Sequence, residues 1–168
     1  MNDVANEQLL QRVENFLTNS SDEERHLLST IINGFSEKQN GTYTTYLAAL
    51  TQIKTRFLEN GDYEVILPIQ PLIENPLKIV HGGMTATLLD TAMGSLVNQS
   101  ISSDLAAVTT EMNVHYIKPG VGSHLRCVAS ILNKGRQLCV TEAKVYDEKE
   151  KLIAMGTGTF FIMKRPKK

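Results

Sequence analysis

A chain of 168 residues is the size of one domain with room for a terminal extension. Apolar residues at 42% and charged residues at 21% exclude a wholly disordered chain, and 17 Lys/Arg against 18 Asp/Glu, net −1, leave no electrostatic footprint for nucleic acid. Residues 1–55 carry four basic and seven acidic groups, net −3, which argues against a DNA-contacting headpiece there. Cys127 and Cys139 make neither a disulfide framework nor a zinc signature, and both fall in strand-like segments where buried free thiols are ordinary. The start, MNDVANEQ, has no basic n-region and no apolar h-region, so no signal peptide is expected. The longest mostly apolar run, Met84 to Val97, is too short to span a bilayer and contains Asp90. A soluble, cytoplasmic protein with no membrane partner is expected.

In chain order, Val4, Leu9, Leu10, Val13, Phe16 and Leu17 stand at helical spacing over residues 3–17, with Asn2 or Asp3 able to cap. Ser21-Asp22-Glu23-Glu24 has the Ser-x-x-Glu form of a capping box, and its three acids suit the positive end of a helix dipole. Leu27, Leu28, Ile31, Ile32 and Phe35 continue that second helix, which Gly34 is expected to close before a Ser36–Gly41 loop. Residues 1–41 therefore read as a helical extension whose apolar stripes need a partner, since two short helices make little core alone.

A helical turn around residues 43–49 precedes a hairpin: Gln52 to Glu59, then Asn60-Gly61-Asp62, then Tyr63 to Gln70. Residues 71–81 are a Pro-broken loop, and Gly82-Gly83 opens a helix running to about Gln99. Strand-like runs at 106–118, 123–133, 137–147 and 151–163 complete residues 42–168. A helix this apolar has to be covered on nearly every side. An antiparallel six-stranded sheet wrapped around it, closed by a second copy of the chain, is the economical α+β solution.

Chemistry concentrates between His81 and Asp90. Two glycines at a helix start allow close approach, and their N–H groups, with the dipole behind them, suit an oxyanion developing on an acyl carbonyl. Asp90 is the one charge in a long apolar stretch. It lies eight residues from Gly82, roughly 12 Å of rise, so it cannot easily serve its own Gly82. Across an antiparallel pair of helices it would approach the partner's.

These residues carry a resemblance. Asn75-Pro76-x-x-x-x-His81-Gly82-Gly83, the helix through Leu88-Leu89-Asp90-Thr91-Ala92, and Thr109-Thr110-Glu111-Met112-Asn113-Val114-x-Tyr116-x-x-Pro119 resemble the hotdog-fold acyl-CoA thioesterases, in their PaaI-like branch of phenylacetyl-CoA and 4-hydroxyphenylacetyl-CoA thioesterases. The likeness covers residues 45–163 and leaves the N-terminal helices outside. It implies a hotdog domain over 42–168 that hydrolyses acyl-CoA thioesters, with coenzyme A only as part of substrate and product and no metal or redox cofactor. By the same resemblance, Gly82 N–H and Asn75 polarise the carbonyl, and His81 stands beside them. Asp90 is general base or nucleophile, and Thr109 supplies the hydroxyl that holds water, with Thr110 the alternative if the register slips by one.

Gly83 and Met84 are further substrate-binding candidates, with Leu88, Met93, Met112 and Val114 beside Met84 along an acyl tunnel. Methionine-rich walls and few aromatics favour medium or long aliphatic acyl groups over aryl ones. Lys134-Gly135-Arg136 is a basic turn that either meets coenzyme A phosphates or is simply solvated. The basic C-terminal tail is read as frayed, and His26, His115 and His124 form no metal-ligand spacing. A homodimer or tetramer with sites at the dimer interface is expected. The rival readings are a non-catalytic acyl-CoA-binding or sensing module and a hotdog dehydratase or hydratase.

Overall fold

The computed structural model describes residues 2–166, the side chains of residues 2 and 3 excepted. The expected Asn2 or Asp3 cap and the Lys167-Lys168 end of the tail lie outside the described residues. The chain forms two compact units, residues 1–50 and 51–168.

In the first unit, α1 (Asn2–Asn19) and α2 (Asp22–Gln39) precede a short α3 (Tyr46–Thr51) that ends at the unit boundary. The capping box forms as its spacing predicts. Ser21 Oγ accepts the Glu24 N–H at 3.3 Å, and Glu24 Oε2 accepts the Ser21 N–H at 2.7 Å. Gly34 does not close α2. It lies inside the helix, buried, where a Cβ would stand 2.4 Å from the Ala49 carbonyl oxygen. The glycine is there to admit the backbone of α3, and α2 runs on through most of the expected loop. Asn40 then caps it and Gly41 turns out at φ +85°.

The second unit is one antiparallel sheet around one helix. The sheet order is β1 (Lys54–Phe57), β2 (Tyr63–Pro68), β4 (His124–Lys134), β5 (Leu138–Asp147), β6 (Leu152–Lys164), β3 (Leu105–Tyr116). The first hairpin turns at Gly61, φ +87°, with the Leu58 N–H bonded to Asp62 O at 2.9 Å. β1 keeps only four of the expected eight residues; all four are exposed, and Lys54 and Arg56 put charge on that sheet edge.

The central helix α4 (Gly82–Ser100) lays Leu88, Leu89, Ala92, Met93, Leu96 and Val97 onto the sheet, against Val65, Leu125, Cys127, Val145 and Phe160 among others. Burying each large apolar side chain of this set contributes about 1.5–3 kcal/mol, far more than any single hydrogen bond at the helix ends. β6 approaches closely: a Cβ on Gly156 would meet Asn113 O at 2.7 Å and Leu89 Cδ1 at 3.5 Å. Both free cysteines are buried in this core, and burial pushes both thiols up, away from reactivity.

The face of α4 turned from the core, with Gly83, Thr87, Asp90, Thr91, Gly94, Ser95 and Asn98, is not buried in the single chain. These residues are small or polar, so α4 is clasped on one side rather than enclosed. On the opposite sheet edge from β1, β3 has a partner on one side only, β6, paired from Leu105↔Lys164 to Tyr116↔Ala154. The Asn98 amide closes its other side locally, accepting the Ala107 N–H at 3.0 Å and donating to Ala107 O at 3.2 Å.

Gly34→Ala is expected to destabilise the α2–α3 packing by about 1–3 kcal/mol, because backbone rather than a flexible side chain occupies the space. Hydrogen exchange of the α2 amides reads it; unchanged protection would contradict this packing.

Candidate active site

The free donors at the start of α4 can be counted completely. A helix leaves its first four N–H groups without intrahelical partners. Here the His81 N–H donates to Ile73 O at 2.8 Å, the Gly83 N–H to His81 Nδ1 at 2.9 Å, and the Met84 N–H to His81 O at 2.9 Å. Only the Gly82 N–H has no acceptor among the described residues. The two glycines thus yield one available donor, not two, since the imidazole at the N-cap takes Gly83's. In the neutral ring, Nδ1 as acceptor puts the proton on Nε2.

Asn75 is brought beside Gly82 by a tight loop. The Asn75 N–H donates to Ile79 O at 2.9 Å, Lys78 at φ +57° donates its N–H to Asn75 O at 2.9 Å, and Glu74 bridges Val80. Asn75 Oδ1 accepts the Leu77 N–H at 2.9 Å, which leaves Nδ2 as the amide's open end. Asn75 and Gly82 both line an open cleft of about 330 Å³, with Thr85, Tyr116, Lys118 and Ile153 among its walls. A tyrosine with no role in the sequence reading stands in that wall. Tyr116 Oη donates to Gly82 O at 3.0 Å, and its ring lies 3.6 Å from where a Gly82 Cβ would be.

Asp90 is two turns along α4 and does not line this cleft. Its Oδ1 accepts the Thr109 hydroxyl at 2.8 Å, from the same chain's β3. A β-bulge between Thr109 and Glu111 decides between the two threonines. Thr110 is the extra residue, and its hydroxyl turns back to Thr159 O at 2.9 Å. The carboxylate is half-exposed in the single chain rather than buried among apolar groups.

Met84, Met112 and Val114 are partly buried against the core, while Leu88 and Met93 are fully committed to it. The basic turn lies elsewhere. Lys134 Nζ donates to Ser100 O, the last residue of α4, where a cation complements the negative helix end. That is eighteen residues, about 27 Å, from Gly82 along the helix. Arg136 is exposed. Among the described residues no three His, Cys, Asp or Glu side chains converge as a metal site, and no helix is long and apolar enough to cross a membrane.

A helix clasped in a six-stranded antiparallel sheet is the hotdog architecture. The chain belongs to the thioesterase superfamily, whose family model matches residues 77–154. It is 32% identical over 126 residues to the proofreading thioesterase EntH of Klebsiella pneumoniae, covering 74% of this chain and 86% of that one. It is 29% identical over 97 residues to the medium/long-chain acyl-CoA thioesterase YigI of Escherichia coli K12, a match of half this chain and 63% of YigI. Among solved structures, the BH2602 protein from Bacillus halodurans, crystallised with CoA, superposes with a TM-score of 0.85 at 51% identity, over 92% of this chain and 99% of that one. That share is larger than residues 51–168 alone can supply, so the likeness reaches into the N-terminal helical unit.

Replacing the N-cap imidazole tests the donor count. His81→Ala is expected to cost about 0.5–2 kcal/mol in thermal or denaturant unfolding, and His81→Asn, a good cap, distinctly less. Equal stability of wild type and His81→Ala would contradict the cap.

Proposed function

We propose that this protein hydrolyses acyl-CoA thioesters to free acid and coenzyme A, in a site that two copies of the chain complete. The observation that carries the reading is the Gly82 N–H, without an acceptor among the described residues, on a residue that lines the same cleft as Asn75. Both are donors suited to the oxygen of a thioester as it gains charge. Gly83 and Met84, next along the helix, would border the bound thioester, and His81 Nε2–H stands as a further donor beside it.

Asp90 of the second copy serves as general base. Thr109 occupies Oδ1 and leaves Oδ2 to accept a proton from water, while the Thr109 oxygen keeps lone pairs for that same water. Water attacks the acyl carbon, its proton passes to Asp90, and the tetrahedral oxyanion rests on Gly82 N–H and Asn75 Nδ2. Collapse then expels the coenzyme A thiolate, which takes the proton held on Asp90 and returns that group to the carboxylate. The scheme uses no metal or redox cofactor.

A second copy is invoked because β3 is an unpaired edge of twelve residues with Val108 and Tyr116 exposed on it. Antiparallel pairing of two such edges would remove both and bring the open faces of two α4 helices together. Residues Asn75, His81-Gly82-Gly83 and Thr109 to Pro119 favour the PaaI-like branch. For the acyl group, the partly buried Met84 and Met112 and the likeness to a medium/long-chain thioesterase favour medium or long aliphatic chains over aryl ones. Lys134, bound to Ser100 O, leaves Arg136 the freer cation of the basic turn for coenzyme A phosphates. A coenzyme A ester as substrate and two unpaired buried cysteines fit a cytoplasmic site of action.

Asp90→Asn keeps the size and the Thr109 partner of the carboxylate and is expected to lower thiol release from acyl-CoA roughly 10²–10⁴-fold with the fold retained. Turnover equal to wild type would overturn the assignment. Measured hydration of an enoyl-CoA in place of thiol release would favour a hydratase.

A further inference from the structure

We propose that Tyr116 is a positioning residue for the Gly82 donor, acting through the Gly82 carbonyl rather than on the substrate. The inference rests on the acyl-CoA hydrolase reading above. Two consecutive glycines are the least conformationally restrained way to begin a helix, and Gly82 begins α4 with an N–H that finds no acceptor among the described residues. A donor free to wander is a poor electrostatic stabiliser, because its reorganisation is then charged to the reaction. Each glycine has one side-chain tether. Gly83 is held by His81 Nδ1 at 2.9 Å, and Gly82 by the Tyr116 hydroxyl on its carbonyl at 3.0 Å. The Tyr116 ring lines the same cleft as Gly82 and lies 3.6 Å from the place of a Gly82 Cβ.

The tether comes from β3, the strand that also holds Asp90 through Thr109. One strand therefore fixes both halves of the chemistry. At its Thr109 end it orients a carboxylate, and at its Tyr116 end it orients the amide eight helix residues away. Because Asp90 and Gly82 of one chain serve different sites in the proposed dimer, each β3 orders parts of two sites.

Tyr116→Phe keeps the ring and removes only the hydroxyl. The expected result is a fall in kcat of about tenfold or more, with KM and the inhibition constant of free coenzyme A within about twofold of wild type. Coenzyme A has no thioester carbonyl, so its binding does not use the Gly82 N–H. Amide hydrogen exchange at Gly83, whose hydrogen-bonded N–H shares a peptide plane with the tethered Gly82 carbonyl, should accelerate in the same variant with the melting temperature unchanged. Unaltered kcat and unaltered Gly83 exchange would overturn the tether, as would parallel losses in KM, coenzyme A inhibition and melting temperature, which would mean that Tyr116 only shapes the cleft. A wild-type protein inactive on every acyl-CoA would overturn the hydrolase reading instead, and Gly83 exchange would then decide the tether alone.

Discussion

Eight residues of α-helix separate Gly82 from Asp90, a rise of about 12 Å that no choice of rotamer can close. Almost everything about the site follows from that length. The unpaired amide sits at the start of α4, in a cleft with Asn75 and Tyr116, and the carboxylate sits near the middle of the helix, on a different stretch of its open face. Neither group can be carried toward the other by local motion, because α4 is anchored in the sheet by Leu88, Leu89, Met93, Leu96 and Val97, with Ala92 among them. Shifting the helix by one turn would undo about 1.5–3 kcal/mol of burial at each large side chain, whereas the polar contacts at its ends are worth on the order of 1 kcal/mol each. The hydrophobic face thus sets the distance, and the polar groups are arranged around it.

The sheet serves this arrangement unequally. β6 and β3 lie close against the helix, and β3, although an edge strand, holds two of the site's polar groups: Thr109 on Asp90 and Tyr116 on Gly82. The bulge at Thr110 is what allows the first of these, since it leaves Thr109 facing the helix and turns Thr110 to the β6 backbone. An exposed edge is a liability unless something covers it. In this chain Asn98 covers it only at Ala107, which leaves the stretch bearing the site hydroxyls as the surface a second copy would meet.

The sequence was most legible where structure is local. The Gly82-Gly83 start and apolar run of α4, the four strand-like runs after it and the Ser21–Glu24 box are all short-range patterns, and each forms with its ends within a residue or two of the reading. Gly34 misled because a glycine in an amphipathic helix looks like a stop, while its reason, the Ala49 carbonyl fifteen residues later, is invisible to a local window. One α4 face is open, at Thr87, Thr91, Gly94 and Ser95, on the side that the sequence reading left to a second copy. Within the site, Asn75, Gly82, Asp90 and Thr109 carried recognisable spacing. The use of Gly83's N–H by an imidazole, the Tyr116–Gly82 bond and the Asn98 pairing depend on side-chain directions across non-neighbouring elements, and only His81's place at an N-cap hinted at any of them.

The central claim is that a catalytic unit needs the Gly82 and Asn75 of one copy and the Asp90 of another. Mixing two inactive variants, Asp90→Asn and Asn75→Ala, after dissociation and reassociation tests it directly. If the site is shared, each mixed dimer regains one site with both groups intact, and random reassortment should restore about a quarter of wild-type thiol release. If each chain holds a whole site, no mixed dimer contains an intact one, and activity no greater than the mean of the two separate variants would contradict the account.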